Sequence, residues 1–207
     1  MLKIGVLVSG GGTNFQAIVD SIENGYIKNA KIVTLVSSNP NAYALERAKK
    51  HNIEGVCIRK KDFENSSLYE KALIEHFESR GVGLVIMAGF MVVIGPDFIN
   101  AFRNKIMNIH PSLIPSFCGN GFYGLKVHEA ALEKGVKVTG ATVHFVTEET
   151  DAGPIILQKA VYINDDDTSE SLQKRVMEEA EWEIFPEAIR LFAEGKIEIV
   201  GNKVRRI

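Results

Sequence analysis

Asn108 and His110 close a short apolar run, Ile106-Met107-Asn108-Ile109-His110, and Pro111 and Ser112 follow. Residues two apart on a strand point to the same side, so an amide and an imidazole share one face. That pair suits acyl transfer to nitrogen. When an amine attacks an acyl carbon, negative charge builds on the carbonyl oxygen. An asparagine amide can donate a hydrogen bond to that oxygen. A histidine can donate to it as well, or pass a proton to the leaving nitrogen. An arbitrary Asn-x-His is more often a backbone-bonded amide beside a satisfied core histidine, so the pair needs partners before it means chemistry.

Two further segments offer partners. Thr147-Glu148-Glu149-Thr150-Asp151-Ala152-Gly153-Pro154 is an acidic loop that ends in a turn signal. A carboxylate there can orient a histidine, favour its charged form, or take a proton through water. A solvated acidic loop is the ordinary alternative. Ser9-Gly10-Gly11-Gly12-Thr13-Asn14 joins an apolar run to a helical one. Glycines let a backbone approach a ligand closely, and helix-start N–H groups favour an anion. A dinucleotide fingerprint would place glycine where Phe15 stands and an acid where Ser37-Ser38-Asn39 stand. A P-loop would end in Gly-Lys-Ser/Thr, and no lysine is present. The turn therefore suits a monophosphate better than NAD or ATP, with a plain capped turn as the alternative.

These segments need elements to hold them. Leu2 to Ser9, Ala30 to Ser37, Gly55 to Ile58, Val82 to Ala88 and Ile106 to Ile109 read as strands. Asn14 to Ile27, Ala42 to His51 and Phe63 to Arg80 read as helices between them, the first with Phe15, Ile18, Ile22 and Tyr26 facing inward. The alternation predicts a Rossmann-like, mostly parallel sheet with helices on both faces. His110 then sits at the carboxyl edge, where ligands of such sheets bind. Beyond it the pattern changes. Lys126 to Glu133 is a short helix, and Lys137 to Val146 with Pro154 to Val161 predict two antiparallel strands. Asp167 and Glu170 mark a helix start before Leu172 to Phe192, which Pro186 should bend or divide. Gly201-Asn202 between β-rich flanks predicts a terminal hairpin. No repeat, linker or low-complexity segment interrupts the chain, so one domain over residues 1–207 is the expectation.

Composition sets outer bounds. The chain has 207 residues, 24 Lys plus Arg and 26 Asp plus Glu. That near-neutral balance leaves no electrostatic footprint for nucleic acid. No apolar run is long enough to span a membrane and no secretory signal opens the chain, which points to the cytoplasm. Cys57 and Cys118 read as free thiols. The five histidines and two cysteines lack metal-ligand spacing, so no metal is expected.

Together these segments resemble the phosphoribosylglycinamide formyltransferase family, folate-dependent enzymes of purine biosynthesis. The matching stretches are Val8 to Asn14, Met87 to Met91, Asn108 to Pro115, Val143 to Gln158, and Glu187-Ala188-Ile189 after Pro186. They follow the family's order and cover nearly the whole chain. The resemblance implies that Asn108, His110 and Asp151 are catalytic, with Asp151 keeping His110 charged. It implies that Gly12, Thr13 and Asn14 hold the acceptor's phosphate and Glu181 its ribose. The co-substrate 10-formyltetrahydrofolate would lie against Phe90, Met91, Val92, Val93 and Ile94, and against Val146, Thr147 and Thr150. Thr142 and His144 would support His110 or a water. The implied reaction moves a formyl group to the amine of glycinamide ribonucleotide by direct attack through a tetrahedral intermediate. The implied partners are small molecules, not nucleic acid or membrane, and the implied state is a monomer or homodimer.

The chain departs from the family's pattern in three places. Val92 stands where relatives often carry a basic residue. Cys118 to Val127 is longer than the usual link between the glycine and the histidine, here Gly119 and His128, and its glycines and aromatics suggest a flap. The helix before Glu181 holds one additional residue, so its upstream phosphate contact is not carried over. The rival readings are a formyltetrahydrofolate hydrolase and a catalytically silent folate- or nucleotide-binding protein.

Overall fold

The computed structural model describes all 207 residues, Met1–Ile207. Packing divides them into two compact units, Met1–Met107 and Asn108–Ile207. The first holds strands β1 (Leu2–Val8), β2 (Ala30–Ser37), β3 (Glu54–Cys57) and β4 (Leu84–Met87). Its helices are α1 (Thr13–Glu23), α2 (Tyr43–Lys50), α3 (Ser66–Glu78) and α4 (Pro96–Ala101). Strand β5 (Ile106–His110) carries the chain onward. The second unit holds α5 (Leu125–Lys134), the strand pair β6 (Val138–Phe145) and β7 (Ile155–Tyr162), α6 (Ser169–Val176), α7 (Trp182–Ala193), and the hairpin β8 (Ile197–Val200) and β9 (Lys203–Arg206).

The main sheet runs β3-β2-β1-β4-β5-β6-β7, with β8 and β9 forming a separate two-stranded sheet. The β1–β2, β1–β4 and β2–β3 pairings are parallel, while β6–β7 is antiparallel. This is the expected mostly parallel sheet with an antiparallel portion near its C-terminal end. Ile4, Val6, Leu7 and Val8 are all fully buried, which explains why β1 reads as a continuous apolar run rather than an alternating one. Strand order steps outward from β1 through β2 to β3, then returns to β4 on the other side of β1. The reversal leaves a switch point at the carboxyl ends of β1 and β4, where residues 9–14 and 88–94 emerge.

Several boundaries differ from the sequence reading for local reasons. Helix α1 stops at Glu23 because Gly25 takes a left-handed φ of 80°, so Tyr26 is exposed and Val19 joins Phe15 and Ile18 in the core. Helix α4 was not expected. Pro96 opens it, and the buried carboxylate of Glu70 accepts from Gly95 N (3.1 Å) and Phe98 N (3.1 Å) at its start. Helix α6 is capped by Thr168 and Ser171, each side chain bonding the other's backbone N–H, rather than by the Asp167 and Glu170 pair. Asp167 instead receives Asn164 N at 2.8 Å and pairs with Arg175. Pro186 lies inside α7 and does not divide it. The ladder changes register earlier, in a π-helical turn over Met177–Glu181. A π turn is the form a helix takes to absorb a surplus residue, and a surplus residue is what the sequence places before Glu181.

His128 on α5 is 1% exposed, and neither ring nitrogen has a protein hydrogen-bond partner. Burial, with a smaller contribution from His110, pushes its pKa down to about 4. The unfolded chain therefore takes up this proton first. The stability His128 contributes is complete above its ordinary value and drains away as pH falls toward 4. From pH 7.5 to pH 5 the loss is on the order of 2 kcal/mol. Urea unfolding of the parent and of His128→Leu at both pH values measures it: the parent should lose more stability on acidification than the variant. An equal loss in both would place the acid sensitivity elsewhere.

Candidate active site

The second unit gathers the polar residues singled out by the sequence around one buried carboxylate. Asp151 leaves the acidic loop with a left-handed φ of 55°, a conformation that Asp tolerates better than most residues. Its Oδ2 accepts from Gly119 N at 2.9 Å and lies 3.5 Å from His110 Nδ1. Its Oδ1 lies 3.6 Å from His144 Nε2. The Asp151 side chain is 9% exposed and that of His110 6%. Burial pushes the Asp151 carboxyl up. His144, His110 and the Gly119 N–H together outweigh it, so its pKa falls below the ordinary value and the group is a carboxylate at neutral pH.

Gly153 fixes the loop that delivers this carboxylate. A Cβ there would stand 1.8 Å from the Phe145 carbonyl oxygen, and Phe145 N donates to Pro154 O at 2.9 Å. The backbone thus turns back tightly onto the end of β6, beside His144. No residue but glycine allows that approach.

His144 sets the orientation of Asn108. Its Nδ1 is 2.9 Å from Phe145 O, which can only accept, so Nδ1 carries a proton. In the neutral ring Nε2 is then an acceptor, and it receives Asn108 Nδ2 at 3.2 Å. That uses one of the two amide hydrogens and leaves the second for another acceptor. His110 is held likewise: its Nε2 is 2.8 Å from Phe117 O, so Nε2 carries the proton and Nδ1 faces Asp151. Phe117 aims that carbonyl from φ 50°, a strained value for a bulky residue.

Some expectations change. His110 is not kept charged in this state. Burial lowers its pKa, and Asp151 and the Phe117 hydrogen bond offset this only in part, with His144 lowering it further. His144 bonds Asn108 and approaches Asp151, which in turn faces His110. Thr142 holds the backbone beyond His110: its Oγ1 donates to Ser112 O (2.7 Å) and accepts from Ile114 N (3.1 Å) and from Gln158 Nε2 (2.9 Å). The Cys118–Val127 flap is shorter than read, because α5 begins at Leu125 and Val127 is buried within it. The start of the flap and the residue before it supply two contacts the side-chain pattern gave no sign of, the Gly119 N–H and the Phe117 carbonyl. Gln158 was also missed as a brace, although it lies in the stretch that carries the family resemblance.

A cavity of about 730 Å³ opens beside Asp151, lined by Cys118, Gly119, Glu149, Thr150 and Ile155 among others. Val146 and Thr147 are half-buried at the root of the acidic loop and Thr150 is exposed on it. Glu181 is buried at the end of the π turn.

The first unit places the glycine-rich turn against the 90–94 segment. Ser9 N donates to Gly89 O (3.1 Å), Met91 N donates to Ser9 Oγ (2.8 Å), and that hydroxyl bonds Ser38 Oγ (2.7 Å). Phe90 and Val92 are half-buried, Met91 and Val93 are exposed, and Ile94 is buried as an anchor. Gly12 has φ 71°, and a Cβ on it would meet Ala44 Cβ at 2.7 Å, so the fold itself demands glycine there. Gly10 and Gly11 have no such demand: a Cβ on either would meet nothing within 4 Å. Thr13 and Asn14 open α1 directly after the turn.

An amide, an imidazole and an ionised carboxylate gathered at the end of a strand of a mostly parallel sheet mark an acyl-transfer enzyme. The chain belongs to the formyl transferase family, whose model matches residues 2–189. It is 40% identical over 202 residues to the phosphoribosylglycinamide formyltransferase of Haemophilus influenzae, covering 98% of this chain and 92% of that one. Among solved structures, the glycinamide ribonucleotide transformylase 1 of Symbiobacterium toebii is 44% identical with a TM-score of 0.94, covering 100% of this chain and 94% of that one. The phosphoribosylglycinamide formyltransferase of Coxiella burnetii, solved with CHES, is 36% identical with a TM-score of 0.90, covering 99% and 93%.

Proton NMR titration of the His110 ring tests the electrostatics. The midpoint should lie below the ordinary imidazole value and fall further in Asp151→Asn, because Asp151 is the main group favouring the charged ring. A midpoint that rises in the variant would contradict the assignment.

Proposed function

We propose that this enzyme transfers a formyl group from 10-formyltetrahydrofolate to the amine of glycinamide ribonucleotide, a step of de novo purine biosynthesis, within a single formyltransferase domain spanning residues 1–207. The observation that carries the reading is the convergence of Asn108, His110 and Asp151, with His144 fixing the amide. Family membership and the similarity to named phosphoribosylglycinamide formyltransferases support it.

The amine nitrogen bonds to the formyl carbon, and the carbonyl electron pair moves to oxygen. The second amide hydrogen of Asn108 donates to that oxyanion. The Nε2–H of His110, given to Phe117 O in this structure, exchanges onto the same oxygen. The one proton the amine loses passes through water and Asp151 to His110 Nδ1, where the carboxylate stabilises the imidazolium, and it returns by the same route to the folate nitrogen as that nitrogen leaves. Collapse of the intermediate breaks the bond to the folate nitrogen, which leaves protonated as tetrahydrofolate. No covalent enzyme intermediate and no metal takes part in this scheme. Holding two substrates in contact supplies much of the rate.

The remaining assignments follow the same reading. Gly12, Thr13 and Asn14 bind the acceptor's phosphate and Glu181 its ribose. Phe90, Met91, Val92, Val93 and Ile94 with Val146, Thr147 and Thr150 bind the folate, partly through backbone, so Val92 in place of a basic residue is compatible. Thr142 and His144 are positioning residues. The enzyme acts in the cytoplasm on small molecules, without nucleic acid or membrane, as a monomer or homodimer.

Following conversion of 10-formyltetrahydrofolate to tetrahydrofolate, with and without glycinamide ribonucleotide, tests the reading. Turnover should require the ribonucleotide, whereas turnover without it would make the enzyme a hydrolase. Asn108→Ala and His110→Ala should each lower kcat by roughly 100-fold or more, the scale of a lost oxyanion donor, with folate affinity nearly unchanged. Unchanged turnover in either variant would sink the mechanism.

A further inference from the structure

We infer that Arg47 is a positioning residue for the acceptor's phosphate, acting by holding the glycine-rich turn with its N–H groups outward. The inference rests on the reading that this turn binds that phosphate. In a planar trans peptide the C=O and N–H point opposite ways, so fixing a carbonyl fixes the direction of the next N–H. Three successive carbonyls of the turn are taken by the protein. Gly10 O accepts from Ala44 N (3.2 Å), Gly11 O from Arg47 Nε (2.9 Å), and Gly12 O from Gln16 N (2.9 Å). The N–H groups of Gly11, Gly12 and Thr13 are thereby turned away from the atoms that hold those oxygens. Consecutive N–H groups aimed in this manner form an anion-binding nest.

Two of the three anchors are backbone atoms, so Arg47 is the side chain on which the turn depends. Its own position is secured twice more. Nη1 donates to Gln16 Oε1 at 3.1 Å, and the guanidinium lies 5.1 Å from the Tyr43 ring centroid. The Gln16 amide cannot flip away, because its Nε2 donates to Asp20 Oδ1 (2.8 Å) and lies 3.0 Å from His51 Nε2. Helix α2, which carries both Ala44 and Arg47, therefore shapes the turn from behind. The bare faces of Gly10 and Gly11, where added Cβ atoms would touch nothing, leave the room an incoming phosphate needs.

The test compares the parent, Arg47→Gln and Arg47→Lys on glycinamide ribonucleotide and on its dephosphorylated riboside, with inorganic phosphate as a competitive probe. The parent should prefer the ribonucleotide. In Arg47→Gln the KM for the ribonucleotide should rise about 10-fold or more, the scale of one charge-assisted hydrogen bond. The inhibition constant for phosphate should rise in parallel. The KM for the folate and the activity on the riboside should stay within about two- to three-fold, since neither uses the nest. Arg47→Lys keeps the charge but loses the fork, and should fall between. It also serves as the readout if Arg47→Gln does not fold. Equal losses on both acceptors, or an undiminished phosphate preference in both variants, would overturn the role of Arg47. No preference in the parent would instead remove the phosphate-binding reading of the turn, and this inference with it.

Discussion

Asp151 is a carboxylate taken almost wholly out of water, and much of the second unit is arranged to make that tolerable. An ionised group in such a place must be met by charge or hydrogen bonds, or it takes a proton. Here the Gly119 N–H donates to it, and the His110 and His144 rings face it at 3.5 and 3.6 Å, where a proton gained by either ring meets the carboxylate. Both rings are in turn fixed by a backbone carbonyl. Phe117 O holds His110, Phe145 O holds His144, and His144 then orients Asn108. Gly153 allows the loop to bring the carboxylate back to the end of β6. Preorganisation of this kind is what lets donors act on a developing oxyanion without rearranging at the moment of reaction.

The first unit follows a different principle. Its glycine-rich turn and 90–94 segment are held largely through backbone groups. Ser9 ties the glycine-rich turn to the segment beyond β4, and the buried Glu70 carboxylate anchors the far end of that segment at the start of α4. Both segments emerge at the strand-order reversal, where parallel sheets present their carboxyl ends to ligands. The proposed chemistry at Asp151 thus uses side chains held by backbone, while in the glycine-rich turn a side chain bonds backbone.

The strands of the sheet were legible because β1 and β4 are largely buried apolar runs and β2 and β5 are rich in apolar residues, and the glycine-rich turn and the Asn-x-His pair announced themselves by type and spacing. The gathering of Asn108, His110 and Asp151 was legible only through the family resemblance, since 40 residues lie between His110 and Asp151 and no local pattern spans them. What stayed hidden was carried by backbone. The Phe117 carbonyl, the Gly119 N–H and the helix start held by Glu70 have no side-chain signature. The resting protonation of His110 was not legible for a related reason: pairing with Asp151 can be read from residue types, but the burial that opposes it cannot. The break at Met177–Glu181 rather than at Pro186 shows a helix absorbing a surplus residue by changing its hydrogen-bond register.

Asn108 and Asp151 both lie against His144 Nε2, and on the proposed mechanism they act as one unit. A double-mutant cycle on kcat with Asn108→Ala, Asp151→Asn and the pair together tests it most directly. Groups that work as a unit give strongly non-additive losses, so the double variant should be little slower than the slower single variant. Losses that multiply independently would show that the two residues contribute separately, and would contradict the account.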